Sequence, residues 1–560
     1  MSESPFHVTF ECIDCGYKAP YSHTITTCPG CSGQWLEARY DYEKIGPLLP
    51  SRAAGRPNDL WRYREVLPVK APNPVINMGE GGTPLIHAGN LGMMLGLPHL
   101  YIKDERQGPT GSFKDRQAAL SITALKEAGI TEAVLASTGN VAISYSAYAA
   151  RAGIKLWAFL TSLVPAEKMR EVAIYGTQVV KVTASYDQAK RLAAEFARQR
   201  GLFLERGSRS IPSVEAMKTM SYEIAEQLGG LLELPSHTWK APDWYIQSVS
   251  GGIGPQGVLK GFEELKIMGL IDRIPGLAGI QSEGCAPMVH AWKQGLEAAE
   301  PVRSPRTHIT TLSTGDPGRT YTWLRQHMLA GGGGTFESVT DEEAYRTIHI
   351  LAKMEGLSVE PAAAVAFAGL IRLVRAGQIK PADLIVVNCT GHTMPIEQEI
   401  LGEGWARNIA VEGSSQQALL DTPEEGLLAA LSKVTMERFS RIIIVDDTPD
   451  ARRLIMRILQ SQGDYTLFEA ANGREAIEMA KKELPDLIIL DLMMPEVDGF
   501  AVLDVLKQDT RTSEIPVIVV TAKELTPDEK IRLKGRIHSL MQKGEFMGDD
   551  LSDEVKALLG

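Results

Sequence analysis

The sequence predicts an α/β protein of several units. Three observations predict it: two separated series in which β-branched runs alternate with helical patterns, a polar stretch between them, and four cysteines within the first 31 positions. At about 150 residues per unit, 560 residues argue for three or four units. Alternating strand and helix patterns are those of parallel sheet with helices on both faces. A composition that is 44% apolar and 23% charged excludes wholesale disorder, collagen-like repeats and a fibrous rod. A net charge of −11 disfavours adhesion to nucleic acid or to anionic lipid, so neither is expected as a partner. No apolar run approaches the 18 or so residues of a membrane span, and the first ten residues lack a basic start and an apolar core. The chain is therefore expected to be cytoplasmic.

The first segment, residues 1–42, carries Cys12 and Cys15, then twelve residues, then Cys28 and Cys31. Two such knuckles bring four thiolates to one tetrahedral zinc, and free thiols are the alternative. Four cysteines close the coordination shell, which points to a structural rather than a catalytic ion. Gly16 and Gly30 stand where each knuckle needs a tight turn. With few apolar residues of its own, the segment is expected to draw its stability from the metal.

From Gly79 to about Ile409 the strand runs are VLAS, KLWAFL, QVVKV, WYIQSV and DLIVVN, with Ala-rich helical patterns between them. Lys114 lies in GPTGSFKDR, among turn-forming residues just after the strand-like LYIKDE. Most lysines are solvated surface groups, but two glycine-rich strand-to-helix turns, ASTGNVAIS and QSVSGGIGPQG, accompany this one. Such turns aim backbone N–H groups and a positive helix end at an anion. Neither is a Walker loop or a dinucleotide fingerprint. Cys285 and Cys389 read as core thiols, His392 as structural, and Ala330–Phe336 (AGGGGTF) as a flexible surface loop.

Residues 411–439 are polar and read as a linker, with one amphipathic helix expected in LLAALSKVTMERF. In residues 440–560, RIIIV runs into Asp446 and Asp447, LIILD ends in Asp491, PVIVV runs into Thr521, and LMQKG supplies Lys543. All fall at carboxyl ends of expected parallel strands, where open α/β sheets place their sites. With strand order 2-1-3-4-5 the three carboxylates converge, and a hard cation such as Mg²⁺ is needed to hold them together.

WRYREVLP, GEGGTPLI, PTGSFKDR, STGN, QSEGCAPMVHAW, EGLSVEPAAA and NCTGHT, in that order, resemble the pyridoxal-phosphate (PLP) enzymes of the tryptophan-synthase β-like fold, and among them the threonine synthases. The resemblance spans about Trp61 to Ile409 and implies a two-lobed catalytic core over residues 43–410, acting on a small amino-acid substrate, with a homodimer expected. It implies Lys114 as the Schiff-base lysine and Asn140 as the partner of the cofactor's ring hydroxyl. Gly251, Gly252, Gly254 and Gly257 would hold the cofactor phosphate through backbone N–H groups, and Thr390 would sit at the pyridine nitrogen. Ser137 and Thr138 would hold the substrate carboxylate. The implied reaction converts O-phosphohomoserine and water to threonine and phosphate. Two motifs depart from the family pattern: GSRSIPSVEAMKT matches the substrate-phosphate run only at Glu215, Lys218 and Thr219, and SGGIGPQG lacks an asparagine of the glycine loop. β-Replacement as in cysteate or cysteine synthases, deamination of threonine or serine, and a non-catalytic amino-acid-binding module in a phosphorelay all remain open.

The last 120 residues resemble the receiver domain of bacterial response regulators, which implies a flavodoxin-like (βα)5 fold. The resemblance makes Asp491 the phospho-acceptor, Asp446 and Asp447 the Mg²⁺ ligands with it, Thr521 the phosphoryl-sensing hydroxyl and Lys543 the counter-ion. A histidine kinase or phosphotransfer protein would be the partner. Leu540 stands where many receivers have an aromatic switch residue, and Gly544 replaces the proline after the lysine.

Overall fold

The computed structural model describes residues 8–161, 164–183, 186–393, 440–462, 465–523, 525–543 and 548–559. The expected linker and its amphipathic helix lie outside the described residues. The chain divides into two compact units, one holding the N-terminal and central segments and the other built on residues 440–559.

In the first unit, β1 (Thr9–Cys12) pairs antiparallel with β2 (Lys18–Pro20) and β3 (Leu36–Arg39). Its buried Phe10 joins Leu36, Ala38 and Tyr40 in the same hydrophobic core as Met217 and Phe262 of the central segment. The indole N–H of Trp323 donates to Glu37 at 2.7 Å across that seam. The small sheet thus gains apolar burial from the central segment that its own composition could not supply.

Two sheets form the central segment. One runs β8 (Gln178–Val182), β7 (Lys155–Thr161), β6 (Glu132–Ser137), β9 (Phe203–Leu204), all parallel. The other runs β12 (Gly334–Val339), β11 (Gly276–Ser282), β10 (Trp244–Ser248), β13 (Ile385–Cys389), β5 (Leu100–Asp104), β4 (Leu85–His87), with only β4 antiparallel. Every strand run read from the sequence is a strand here; the inner strands β10 and β13 bury on both faces of their sheet, while β8 is a partly exposed edge.

Ala330–Phe336 corrects the expectation of a surface loop. Its second half is the start of β12, which pairs in parallel with β11 from Gly334 onward. Gly334 has φ +140, and a side chain there would collide with the Leu277 backbone. Phe336 is buried against Trp292 and Tyr321, with ring centroids 5.6 and 5.7 Å away. The glycines are there because two backbones approach closely, not to keep the chain loose.

The helices Ile211–Leu231 and Ile253–Ile267 cross closely at Gly257 and Gly261. Between them lies a buried ion cluster: Lys260 reaches Glu215 at 2.5 Å and Glu264 at 2.9 Å, and Lys218 reaches the same two carboxylates at 2.5 and 2.9 Å. Hydroxyls of Tyr40, Tyr42 and Tyr222 donate to these carboxylates at 2.7–2.9 Å. Buried charges persist when paired and fully hydrogen-bonded, as these are.

The second unit is a five-stranded parallel sheet in the order β15 (Thr466–Ala470), β14 (Arg441–Val445), β16 (Leu487–Leu490), β17 (Val517–Thr521), β18 (Ser539–Gln542), the expected 2-1-3-4-5. Separate apolar clusters cover its two faces, one around Ile443, Leu490 and Val519 and the other around Ile444, Ile489 and Ile518. Among the described residues no helix is long and apolar enough to cross a membrane.

Candidate active site and receiver site

The ends of β6, β10 and β13 meet the start of the helix Lys114–Glu127 around a cavity of about 100 Å³, lined among others by Lys114, Asn140, Gly252, Gly254, Glu360 and Thr390. A wider cavity of about 470 Å³ shares Lys114, Thr138 and Gly251 with it.

The run Lys114-Asp115-Arg116 sends three side chains to three tasks. The Lys114 amine faces the cavity, 4.2 Å from the centroid of the Phe113 ring, without a hydrogen bond among the described residues. Burial pushes its pKa down to about 7, since an ammonium there loses its water and gains no counter-charge. Asp115 turns back and fastens the preceding loop, accepting from the Thr110 N–H at 2.9 Å and from its hydroxyl at 2.5 Å. Burial pushes the Asp115 carboxyl up to about 6. Arg116 is fully buried and pairs with Glu105 at 2.7 Å and Glu223 at 2.6 Å. Burial would push the Glu223 carboxyl up, but Arg116 and Lys103 outweigh it and hold it below the ordinary carboxylate range.

Asn140 opens the helix Asn140–Ala152. Its amide nitrogen donates to Glu360 at 2.7 Å, and its amide oxygen accepts from the Lys168 ammonium, also at 2.7 Å. Lys168 closes the triangle on Glu360 at 2.8 Å. Glu360 lay within a quoted motif, but no feature of spacing or composition marked Lys168. Gly391, at φ +80, packs directly on the Glu360 side chain, where any Cβ would collide. The Thr390 hydroxyl accepts the Phe113 N–H at 3.1 Å and keeps its own proton for a partner in the cavity.

Two expected roles change. Ser137 is buried, and its hydroxyl accepts from the N–H groups of Gly139 and Ala142 at 3.0 and 3.1 Å. It therefore holds the turn together and leaves Thr138, which lines both cavities, to face a ligand. Gly257 lies one turn inside its helix, where a Cβ would come within 2.7 Å of the Val214 carbonyl and collide with Met217. Packing requires that glycine; the glycines that line the cavity are those of the first turn, Gly251, Gly252 and Gly254. There Gly252 has φ +90 with Thr320 2.6 Å from an added Cβ, and Gly254 would meet the Gln247 amide at 2.5 Å. The N–H groups of Gly252, Ile253 and Gly254 belong to the helix start, which has no carbonyl within the helix to bond them. Of the three residues matching the substrate-phosphate run, Glu215 and Lys218 sit in the buried ion cluster and Thr219 accepts from Arg116 at 3.0 Å. Cys285 and Cys389 are buried, as expected of core thiols.

In the N-terminal sheet, Cys12 and Cys31 lie 3.6 Å apart at sulfur, as do Cys15 and Cys28, and all four sulfurs fall within 4.8 Å of one another. Disulfide sulfurs would stand about 2 Å apart. A zinc tetrahedron with bonds of about 2.3 Å has edges of about 3.8 Å, so the donor set fits that ion. The left-handed residues follow the second cysteine of each knuckle, Gly16 at φ +71 and Ser32 at φ +60, so Gly30 is not the turn residue expected.

In the second unit the carboxylates of Asp446, Asp447 and Asp491 come within 4.8 Å of one another. The Lys543 ammonium bonds both Asp446 and Asp491 at 2.5 Å. Burial raises the Asp446 carboxyl above its ordinary range, against the pull of Lys543. Thr521 is buried at the end of the neighbouring strand β17.

Residues 76–391 match the family model described as pyridoxal-phosphate dependent enzyme, and residues 442–555 match the response regulator receiver domain. The chain is 36% identical over 383 residues to the threonine synthase of Methanocaldococcus jannaschii, covering 68% of this chain and 91% of that one. It is 34% identical over 392 residues to the threonine synthase of Methanosarcina acetivorans, covering 70% and 93%. Among solved structures, diaminopropionate ammonia lyase from Escherichia coli, in complex with D-serine, shares the fold with a TM-score of 0.50 at 15% identity, over 59% of this chain and 90% of that one.

Proposed function

We propose a reaction for this chain from the premise that it belongs to the pyridoxal-phosphate dependent enzymes, with threonine synthases among its relatives, and carries a response-regulator receiver domain: conversion of O-phosphohomoserine and water to threonine and phosphate. The observation that carries it is the desolvated Lys114 amine facing the same small cavity as the glycine cradle, Asn140 and Thr390.

These residues fit the cofactor. Gly252 and Gly254 line the cavity at the start of a helix, and their N–H groups, with that of Ile253, would hold the cofactor's phosphate. When bound, the cofactor supplies an electron-withdrawing ring that makes the substrate's Cα–H acidic. Lys114, neutral in about half of molecules near pH 7, is a nucleophile for an aldehyde carbon. Once freed, the same amine takes the proton from the substrate Cα. Lys168 and Glu360 fix the Asn140 amide, so that it meets the cofactor's ring hydroxyl in one orientation. The Thr390 hydroxyl, which lines the cavity, would donate to the ring nitrogen without holding a proton on it as a carboxylate would, and so would temper the electron demand and favour chemistry at Cβ and Cγ. Thr138 and the adjacent N–H groups receive the substrate carboxylate.

Release of phosphate together with threonine from O-phosphohomoserine, lost in Lys114→Ala, tests the reaction. Turnover only of O-phosphoserine or of threonine would refute it and establish β-replacement or deamination. That second reading is favoured by one observation: Glu215, Lys218 and Thr219 are all committed to buried networks, away from any substrate phosphate.

In the receiver, Asp491 would accept a phosphoryl group from a histidine kinase or phosphotransfer protein. Mg²⁺ would be held by Asp446, Asp447 and Asp491, with Thr521 and Lys543 following the new charge. Such phosphorylation would regulate the lyase on the same chain. Acetyl phosphate labelling that persists in Asp491→Asn would overturn the acceptor assignment. The four cysteines would hold one structural zinc.

A further inference from the structure

Trp35 belongs to the N-terminal segment, four residues after the last of its cysteines, yet it lines the cavity of about 470 Å³ that also holds Lys114. Beside it stands Arg319, which lines the same cavity with its guanidinium 5.7 Å from the Trp35 ring centroid. Arg319 opens the helix Arg319–Ala330 and pairs at 2.5 Å with Asp14, which lies between Cys12 and Cys15. The next residue, Thr320, is buried and anchored elsewhere: its hydroxyl donates to that of Ser208 at 3.1 Å, and its methyl packs against Gly252.

The positions of Trp35 and Asp14 are set by the two knuckles. The Trp35 carbonyl accepts the Ile13 N–H at 3.0 Å, and the Gly33 carbonyl accepts the Cys28 N–H at 2.7 Å. The Gly33 N–H donates to the Cys31 sulfur at 3.4 Å, and the Asp14 carboxylate occupies the space that a Cβ on Gly33 would take. Residues 13–18 and 29–32 are exposed, so these loops have little apolar burial of their own, and an ion held by the four sulfurs would fix them. The sheet behind them has another support, because Phe10, Leu36, Ala38 and Tyr40 pack into the central core. Loss of the ion would therefore loosen the loops and leave the sheet in place.

We propose that Trp35 is a substrate-contacting wall of the Lys114 cavity, and that Asp14 and Arg319 are positioning residues tying that wall to the four-cysteine site. A bound ion then holds the rim of the cavity, and its loss weakens substrate binding while the glycine turn and Lys114 stay where they are. This rests on the reading of the Lys114 cavity as catalytic.

The test uses the full-length protein loaded with zinc and cofactor. It is read by hydrogen–deuterium exchange on peptides covering residues 31–36 and 313–325, and by steady-state kinetics with O-phosphohomoserine. Chelation of zinc speeds exchange in both peptides by about tenfold or more, with the helix Lys114–Glu127 and the visible spectrum of the cofactor unchanged. Asp14→Asn keeps all four thiols and the zinc, so it separates the ion pair from folding of the segment. It speeds exchange at 313–325 and raises KM by about fivefold, with a smaller change in kcat. Arg319→Met does the same, and Arg319→Lys recovers part of the loss. Trp35→Ala raises KM by about tenfold, and Trp35→Phe recovers most of it. Unaltered exchange at 313–325 in either the zinc-free protein or Asp14→Asn, or an unaltered KM in Trp35→Ala, would overturn the inference and leave the reaction standing. Exchange at 313–325 that follows zinc and Asp14, in a protein that does not turn over O-phosphohomoserine, would support the tie between ion and cavity rim and refute the reaction.

Discussion

Burial brings the ionisation of the Lys114 amine into the neutral range, where it can be measured without cofactor or substrate. An amine with a pKa of about 7 is half neutral at pH 7, whereas a solvated lysine at about 10.5 is neutral in roughly three molecules in ten thousand. The reactive form is therefore enriched about 1,500-fold. Acetic anhydride acetylates only neutral amines, so competitive labelling of the apoprotein from pH 6 to 11, read by mass spectrometry on the Lys114 peptide, reports the midpoint directly. The exposed Lys18 provides the reference. We expect Lys114 labelling to rise through a midpoint near 7. The same shift sets a stability window. Above pH 10.5 both folded and unfolded chains carry a neutral Lys114; as the pH falls toward 7, only the unfolded chain takes up the proton, and stability is lost. Below 7 the loss is constant, on the order of 5 kcal/mol. Lys114→Met should remove that loss and stabilise the apoprotein most at and below pH 7. A labelling midpoint above pH 9 would refute the desolvation argument and, with it, the claim that the amine is poised at neutral pH.

Lys168→Met leaves the buried Glu360 carboxylate unpaired and frees the Asn140 amide. It should cost about 3–5 kcal/mol in thermal unfolding and weaken cofactor binding by spectral titration, with Lys168→Arg recovering part of each. Gly257→Ala should destabilise by about 1–3 kcal/mol through overpacking against Val214 and Met217, whereas Gly254→Ala should abolish cofactor uptake; the same titration separates the two. Elemental analysis should find one zinc per chain, lost in Cys15→Ser, and chelation should lower the melting temperature of the whole first unit, because the N-terminal sheet shares its core.

Much of this was legible in the sequence for definite reasons. Parallel strands buried on both faces betray themselves as apolar runs, so β6, β7, β10 and β13 could be placed by eye, and the edge strand β8 showed through its paired valines. Lys114, Asn140 and Thr390 sit at strand ends and helix starts, where local motif and spatial position coincide. Lys168 did not show itself because its significance comes from two partners, 28 and 192 positions away in sequence. The glycines misled in both directions: Gly334 opens a strand and Gly257 serves a helix crossing, and only the neighbouring backbone distinguishes these uses from a loop or an anion cradle. Ser137 lay in the right motif, but its hydroxyl accepts two N–H groups of its own turn and lines neither cavity.

The packing of the N-terminal sheet also sets a timetable for biosynthesis. Tyr42 finds its carboxylate partner 222 residues downstream, which at ribosomal speeds of 5–20 residues per second is a wait of roughly 10 to 45 s. During that interval the nascent segment has its cysteines but not the helices that will shield it. Early capture of an ion by the two knuckles would keep the thiols from oxidising and hand the later helices a finished surface on which to assemble.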